Sequence, residues 1–124
     1  MATVELTTEN FDEVVGADGI VLVDFWAEWC GPCRAFGPTY EAASNKNEDI
    51  VFGKVDTEAQ QELAATFGIR SIPTLMIVRE GVVLFSQPGA LPGNALDDLI
   101  EQARNVDMTE VHAKVKEAQA QQQG

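Results

Sequence analysis

Ile20-Val21-Leu22-Val23-Asp24-Phe25-Trp26-Ala27-Glu28-Trp29-Cys30-Gly31-Pro32-Cys33 is the stretch from which the rest of the chain can be read. Its first half is nearly all apolar, as expected for a strand covered on both faces. Its second half holds the only two cysteines of the protein, three positions apart. From Cys33 to about Asn47 the period becomes helical, with Phe36, Tyr40 and Ala43 on one side. A Cys-x-x-Cys at a strand-to-helix junction, in a chain that alternates strands and helices, is a dithiol redox signal.

The chemistry follows from the helix start. With Cys30 as N-cap, Cys33 occupies the third helical position. The first backbone N–H groups of a helix lack internal partners, and the helix dipole adds positive potential at that end. Both favour a thiolate at Cys30, and the thiolate is the reactive species. Pro32 falls in the first turn, where its missing N–H costs nothing. Gly31 leaves the sulfur uncovered. A structural zinc site needs four ligands, and the chain offers these cysteines and one distant histidine, His112. A purely structural disulfide would close a loop too short to stabilise much.

Outward from this stretch, Val4 to Leu6 reads as a short edge strand. Thr7 is expected to cap a first helix, with Leu6 and Phe11 as its hydrophobic staple. Gly16 and Asp18-Gly19 end that helix. Pro38 lies inside the helix that follows the cysteines and should kink it. Ile50 to Val55 is the next strand. Thr57 and Gln60 resemble a capping box for a helix over Leu63, Ala64 and Phe67, stopped by Gly68. Thr74 to Val78 and Val82 to Ser86 form a hairpin about Glu80-Gly81. Pro92 fits the start of a helix whose apolar face is Leu96, Leu99, Ile100 and Ala103. The order β-α-β-α-β-α-β-β-α predicts an α/β fold with a mixed sheet.

The remaining composition sets bounds. A length of 124 residues suits one domain. A net charge of −12 argues against nucleic acid as a partner, since phosphate binding needs a basic footprint, and against anionic membranes. The N-terminus lacks the pattern of a signal peptide, and the longest apolar run is too short to span a membrane. Two cysteines do not make a secreted disulfide framework, so the cytoplasm is the expected compartment.

The sequence resembles the thioredoxin family, in the branch with Trp-Cys-Gly-Pro-Cys. The resemblance rests on Val23 to Arg34, on Pro38, on Gly68-Ile69-Arg70-Ser71-Ile72-Pro73-Thr74 and on Gly89-Ala90-Leu91. It covers roughly Val4 to Arg104. It departs from the family at Arg34, where lysine is more usual, and in the tail beyond Val106. It implies a thioredoxin fold: a central mixed five-stranded sheet flanked by about four helices, with a cis peptide before Pro73. Residues 1–105 are expected to form this domain. Residues 106–124 form an extension, with a short, loosely docked helix near 108 to 118 and a frayed glutamine-rich end.

The resemblance also implies function. The protein would be a protein-disulfide reductase and thiol-disulfide oxidoreductase, with no bound cofactor or metal. Cys30 attacks a substrate disulfide and Cys33 resolves the mixed disulfide, leaving a Cys30–Cys33 pair. Trp29, Ile72, Pro73, Gly89 and Ala90 would surround the sulfurs and receive disulfide-containing protein substrates; Gly31, Pro32 and Trp26 support the motif. Thioredoxin reductase would recharge the pair with electrons from NADPH, and the protein would be a monomer in electron transport and cell redox homeostasis. A binding or adaptor module of the same fold, without turnover, is the alternative; a metal carrier using cysteines from two chains is a weaker one. Asp24 is the one charge in the central strand. A carboxylate buried there should have a raised pKa and can exchange a proton near neutral pH. The resemblance places it beneath Cys33, with Lys54 nearby, as the group that takes the proton from Cys33.

Overall fold

The computed structural model describes residues 2–123. The elements are β1 (Thr3–Glu5), α1 (Phe11–Val15), β2 (Ile20–Trp26), α2 (Gly31–Lys46), β3 (Val51–Asp56), α3 (Gln61–Thr66), β4 (Thr74–Arg79), β5 (Val82–Pro88), α4 (Gly93–Asn105) and α5 (Met108–Gln123). They form one five-stranded sheet in the order β1-β3-β2-β4-β5. β3 pairs parallel with β1 and β2, whereas β4 pairs antiparallel with β2 and β5. The apolar strand is therefore central, as its composition requires.

Alternation along β2 sends side chains to opposite faces. Leu22 joins a buried cluster with Phe36 and Tyr40 of α2, Phe52, Leu75, and Leu96 and Ile100 of α4. Val21, Val23 and Phe25 join the cluster on the other face, with Leu6, Phe11, Leu63 and Met76. Asp24 is two residues beyond Leu22, so it lies on the α2 side of the sheet. Each buried apolar side chain of this size stabilises by about 1.5–3 kcal/mol, so the two layers hold β2 in place from both faces. The hairpin between β4 and β5 turns on Glu80 and Gly81, both at positive φ (53° and 77°), the geometry of a two-residue primed turn.

Two cap expectations fail. The N-cap of α1 is Asn10, not Thr7. Thr7 instead anchors a turn before the helix, its hydroxyl accepting from the Glu9 N–H and its carbonyl from the N–H groups of Asn10 and Phe11. Leu6 and Phe11 are both buried in one cluster, which is the contact expected of a staple. The N-cap of α3 is Gln60 without a side-chain bond. Asp56 at the end of β3 accepts from the Glu58 and Ala59 N–H groups, and the Thr57 hydroxyl donates to the Trp26 carbonyl. That hydroxyl ties β3 to β2 and is not available to cap a helix.

α5 extends to Gln123, through the glutamine-rich stretch expected to fray. Alanine, glutamine, lysine and glutamate are good helix formers, so the stretch is compatible with helix. Its start is anchored: Asp107 Oδ1 accepts from the Glu110 N–H, Met108 is buried, and His112 Nε2 lies 2.8 Å from Glu80 Oε1. Arg79 completes the junction. Its Nη1 donates to the carbonyls of Ala103, Arg104 and Val106 at 2.9, 3.2 and 3.1 Å, satisfying the end of α4 from the hairpin. Replacing it leaves these helix-end carbonyls short of donors. Arg79→Met should therefore lower the urea unfolding free energy by roughly 1.5–3 kcal/mol, the range for hydrogen bonds from a charged donor. An unchanged midpoint would show that water replaces the arginine at no cost.

Candidate active site

The site forms where β2 ends and α2 begins. Cys30 has extended backbone angles (φ −86°, ψ 112°) and is the N-cap of α2, as its position predicts. Its Sγ accepts the Cys33 N–H at 3.2 Å. The backbone donor expected to stabilise charge on this sulfur is thus aimed at it. The two cysteines are joined as a disulfide. Exposure does not separate them: Cys30 is 5% and Cys33 3% accessible. What separates them is position, Cys30 at the helix tip and Cys33 within the first turn.

The cis-proline loop closes the other side. Ile72-Pro73 is cis, as the resemblance implies. The Ile72 carbonyl oxygen is 3.6 Å from Cys30 Sγ, and Ile72 packs with Trp26 against the buried group formed by Ala27, Cys30 and Cys33. Gly89 stands at φ +116°, and its N–H donates to the Pro73 carbonyl at 2.8 Å, holding the end of β5 against this loop. A side chain at Gly89 would be strained by that φ. Ala90 follows it on the surface, and Gly31 and Pro32 are exposed at the helix start. Arg34 donates to the Glu28 carbonyl at 3.1 Å, which turns it back over the loop before Cys30.

Trp29 is 67% exposed, an unusual position for a large aromatic. Its Nε1–H donates to Glu58 Oε1 at 2.8 Å, which ties the ring, on the residue before Cys30, to the turn after β3. The sequence carried no signal for Glu58, which reaches the site only because β3 lies next to β2.

Beneath the site, Asp24 is completely buried, and neither carboxyl oxygen has a hydrogen-bond partner among the described residues. Burial raises its pKa to about 7, although Lys54 pulls the other way. Lys54 is the register partner of Asp24 across β2 and β3, so both side chains are on the α2 side of the sheet. Its Nζ is 4.6 Å from the centre of the Trp26 ring. Trp26 therefore touches both the lysine and the cysteine pocket. Tyr40 of α2 also senses Asp24: burial first, and then the carboxylate charge, raise its pKa well above the ordinary value, and its hydroxyl donates to the Gly53 carbonyl at 2.7 Å. No group of three or more metal-binding side chains occurs among the described residues.

A dithiol at a helix N-terminus, faced by a cis-proline loop on a five-stranded mixed sheet, defines a thiol-disulfide oxidoreductase of the protein-disulfide reductase type. The Thioredoxin family model matches residues 2–103, and the chain belongs to the thioredoxin family. It is 67% identical over 120 residues to the protein named "Putative thioredoxin 2" of Streptomyces coelicolor, a match covering 97% of this chain and 90% of the relative. It is 38% identical over 101 residues to the thioredoxin of Bacillus subtilis, covering 81% of this chain and 96% of that one. The crystal structure of Malassezia sympodialis thioredoxin superposes with a TM-score of 0.73 at 34% identity, covering 82% of this chain and 91% of that one. Thioredoxins are themselves a standard instance of thiolate stabilisation at a helix start.

The buried carboxyl gives a stability signature. Unfolded, Asp24 titrates near 3.8; folded, near 7. The folded state holds the proton more tightly, so the wild type loses stability as pH rises from about 4 to about 7, by an amount on the order of 4 kcal/mol for a shift of this size. Asp24→Asn removes this dependence. Denaturant melts should show the variant gaining on the wild type through that window, with the difference flat above it. A constant difference from pH 4 to 8 would mean that Asp24 is not held neutral by burial.

Proposed function

We propose that the reductase works with divided roles: Cys30 attacks, Cys33 resolves and Asp24 handles the proton. The observation that carries this reading is the Cys33 N–H directed at Cys30 Sγ at the tip of α2. In the reduced protein that donor and the helix dipole stabilise negative charge on Cys30. The Cys30 thiolate attacks one sulfur of a substrate disulfide, the substrate S–S bond breaks, and the other substrate sulfur leaves as a thiolate. Cys33 then loses its proton and attacks Cys30 Sγ. The mixed disulfide breaks, the second substrate sulfur leaves, and two electrons have passed from the dithiol to the substrate. Cys33 is tethered one turn away, so it competes at high effective concentration with outside thiols.

Asp24 is suited to accept the Cys33 proton. It is on the α2 side of the sheet, it has a pKa near the working pH, and its oxygens have no donor among the described residues. A base whose pKa is near ambient pH gives the best compromise between basicity and availability. Lys54 offsets the negative charge of the ionised carboxyl before the proton arrives and restrains how far the pKa rises. Trp26 supports both groups from the side.

The substrate is an extended peptide with a disulfide. Trp29, Ile72, Pro73, Gly89 and Ala90 frame its approach, Gly31 and Pro32 add no bulky side chain at the helix tip, and the Ile72-Pro73 main chain offers strand-like pairing. Residues 1–105 constitute the reducing domain and 106–124 an extension without a part in the chemistry. Arg79 of the hairpin, which anchors that extension, pairs with Ile20 at the end of β2 opposite to Trp26 and the cysteines. The functional setting is the cytoplasm, with thioredoxin reductase and NADPH as the electron source and electron transport in redox homeostasis as the role. No described helix is long and apolar enough to cross a membrane. The protein acts as a monomer.

Two experiments test this reading. Cys33→Ser, mixed with oxidised insulin, should accumulate a covalent complex through Cys30, while Cys30→Ser should accumulate none. Mass spectrometry locates the adduct, and an adduct on Cys33 in the second variant would reverse the roles. A chain ending at Asn105 should reduce insulin disulfides at nearly the wild-type rate while unfolding at lower urea, because Met108 and the Val106 carbonyl leave with the tail. A large loss of activity in the still-folded fragment would place the extension within the functional unit.

A further inference from the structure

A cavity of about 220 Å3 opens beside the cis-proline loop, lined by Arg70, Ser71, Thr74, Ser86, Gln87 and Pro88 among others, with no carboxylate in its wall. It adjoins the redox centre through two short chain segments. Ser71 precedes Ile72, whose carbonyl lies 3.6 Å from Cys30 Sγ, and Pro88 precedes Gly89, whose N–H is bonded to the Pro73 carbonyl. The two segments that border the redox centre therefore continue directly into the wall of this opening.

The charge at the cavity is the reverse of the charge of the molecule. The chain carries 20 carboxylate side chains against 8 lysines and arginines. Lys46, Arg79, Arg104 and Lys114 each have a carboxylate within 4 Å. Lys54 is over Trp26, and Arg34 is bonded to the Glu28 carbonyl. Arg70 is exposed and has no salt bridge and no side-chain hydrogen bond among the described residues. The side chains of Ser71, Ser86 and Gln87 are exposed around the same opening. A free guanidinium with neutral donors beside it matches a carboxylate, which arginine binds through two parallel N–H groups.

The geometry points to this cavity as a specificity subsite for an acidic side chain of the substrate, close in sequence to the cysteine under attack, with Arg70 as its determinant. The inference rests on the reductase reading of the site. It gives the protein a means to accept acidic substrates that its overall charge repels. Because the guanidinium is exposed, the effect is modest and weakens with salt.

The test uses synthetic peptides with an internal disulfide, blocked termini, and Glu, Gln or Lys beside the cysteine. The quantity read is the ratio of kcat/KM for the Glu peptide over the Gln peptide. For the wild type at low ionic strength it should be about two- to fivefold, within the range of an exposed ion pair, and should fall toward one in molar salt. The Lys peptide should be the poorest. Arg70→Gln should bring the ratio to about one, and Arg70→Lys should keep part of it. Lys116→Gln removes the same charge from the distant α5, so it should leave the ratio as in the wild type. A ratio near one in the wild type, or one that survives in Arg70→Gln, overturns the proposal. If the wild type reduces none of the peptides, the reductase reading itself fails, and this inference with it.

Discussion

The hydrogen bond from the Cys33 N–H to Cys30 Sγ is the interaction on which the chemistry depends. It exists because a strand ends and a helix begins within four residues, with Cys30 in the extended conformation an N-cap requires. Pro32 costs that helix start nothing, since the first turn has no partner for its N–H. The sheet then determines where the helix tip points. β2 is held by β3 on one side and β4 on the other, so the start of α2, the cis-proline loop before β4 and the turn after β3 meet at one edge. Ile72 and Glu58, the hydrogen-bond partner of Trp29, are brought to this edge by strand order, from positions far from Cys30 in the chain.

The same central strand carries the cost of the design. A carboxyl such as Asp24, without a hydrogen-bond partner among the described residues and inside an apolar layer, is unfavourable in its charged form. The protein tolerates it by holding the proton to about pH 7. Lys54 sits across the strand pair, yet its charge only partly opposes the effect of burial. A structural role would be served better by a leucine, which would extend the cluster of Leu22 and Phe36. The proton transfer proposed for Asp24 would use a carboxyl that ionises near working pH.

Much of this could be read from the sequence, and the parts that could not have a physical reason. The Ile20–Trp26 run announced a central strand, and the Cys30 N-cap followed from helix-end chemistry. Asp24 stood out because one charge interrupts an apolar run. The caps of α1 and α3 were misplaced because Thr7 and Thr57 have the right side chains, while their hydroxyls are used elsewhere: in a preceding turn and on the Trp26 carbonyl. Glu58 was invisible because its contact with Trp29 spans two strands. The length of α5 was underestimated because a glutamine-rich stretch has no apolar period, although its residues favour helix. Local chemistry was legible; contacts made by strand adjacency were not.

The central claim is that the start of α2 makes the two sulfurs chemically unequal, although they are almost equally covered. Limiting iodoacetamide on the fully reduced protein, followed by peptide mapping, measures this directly. The account predicts that Cys30 carries nearly all of the label between pH 6 and 8, because its thiolate is the one stabilised by the helix start. Equal labelling, or label mainly on Cys33, would contradict it.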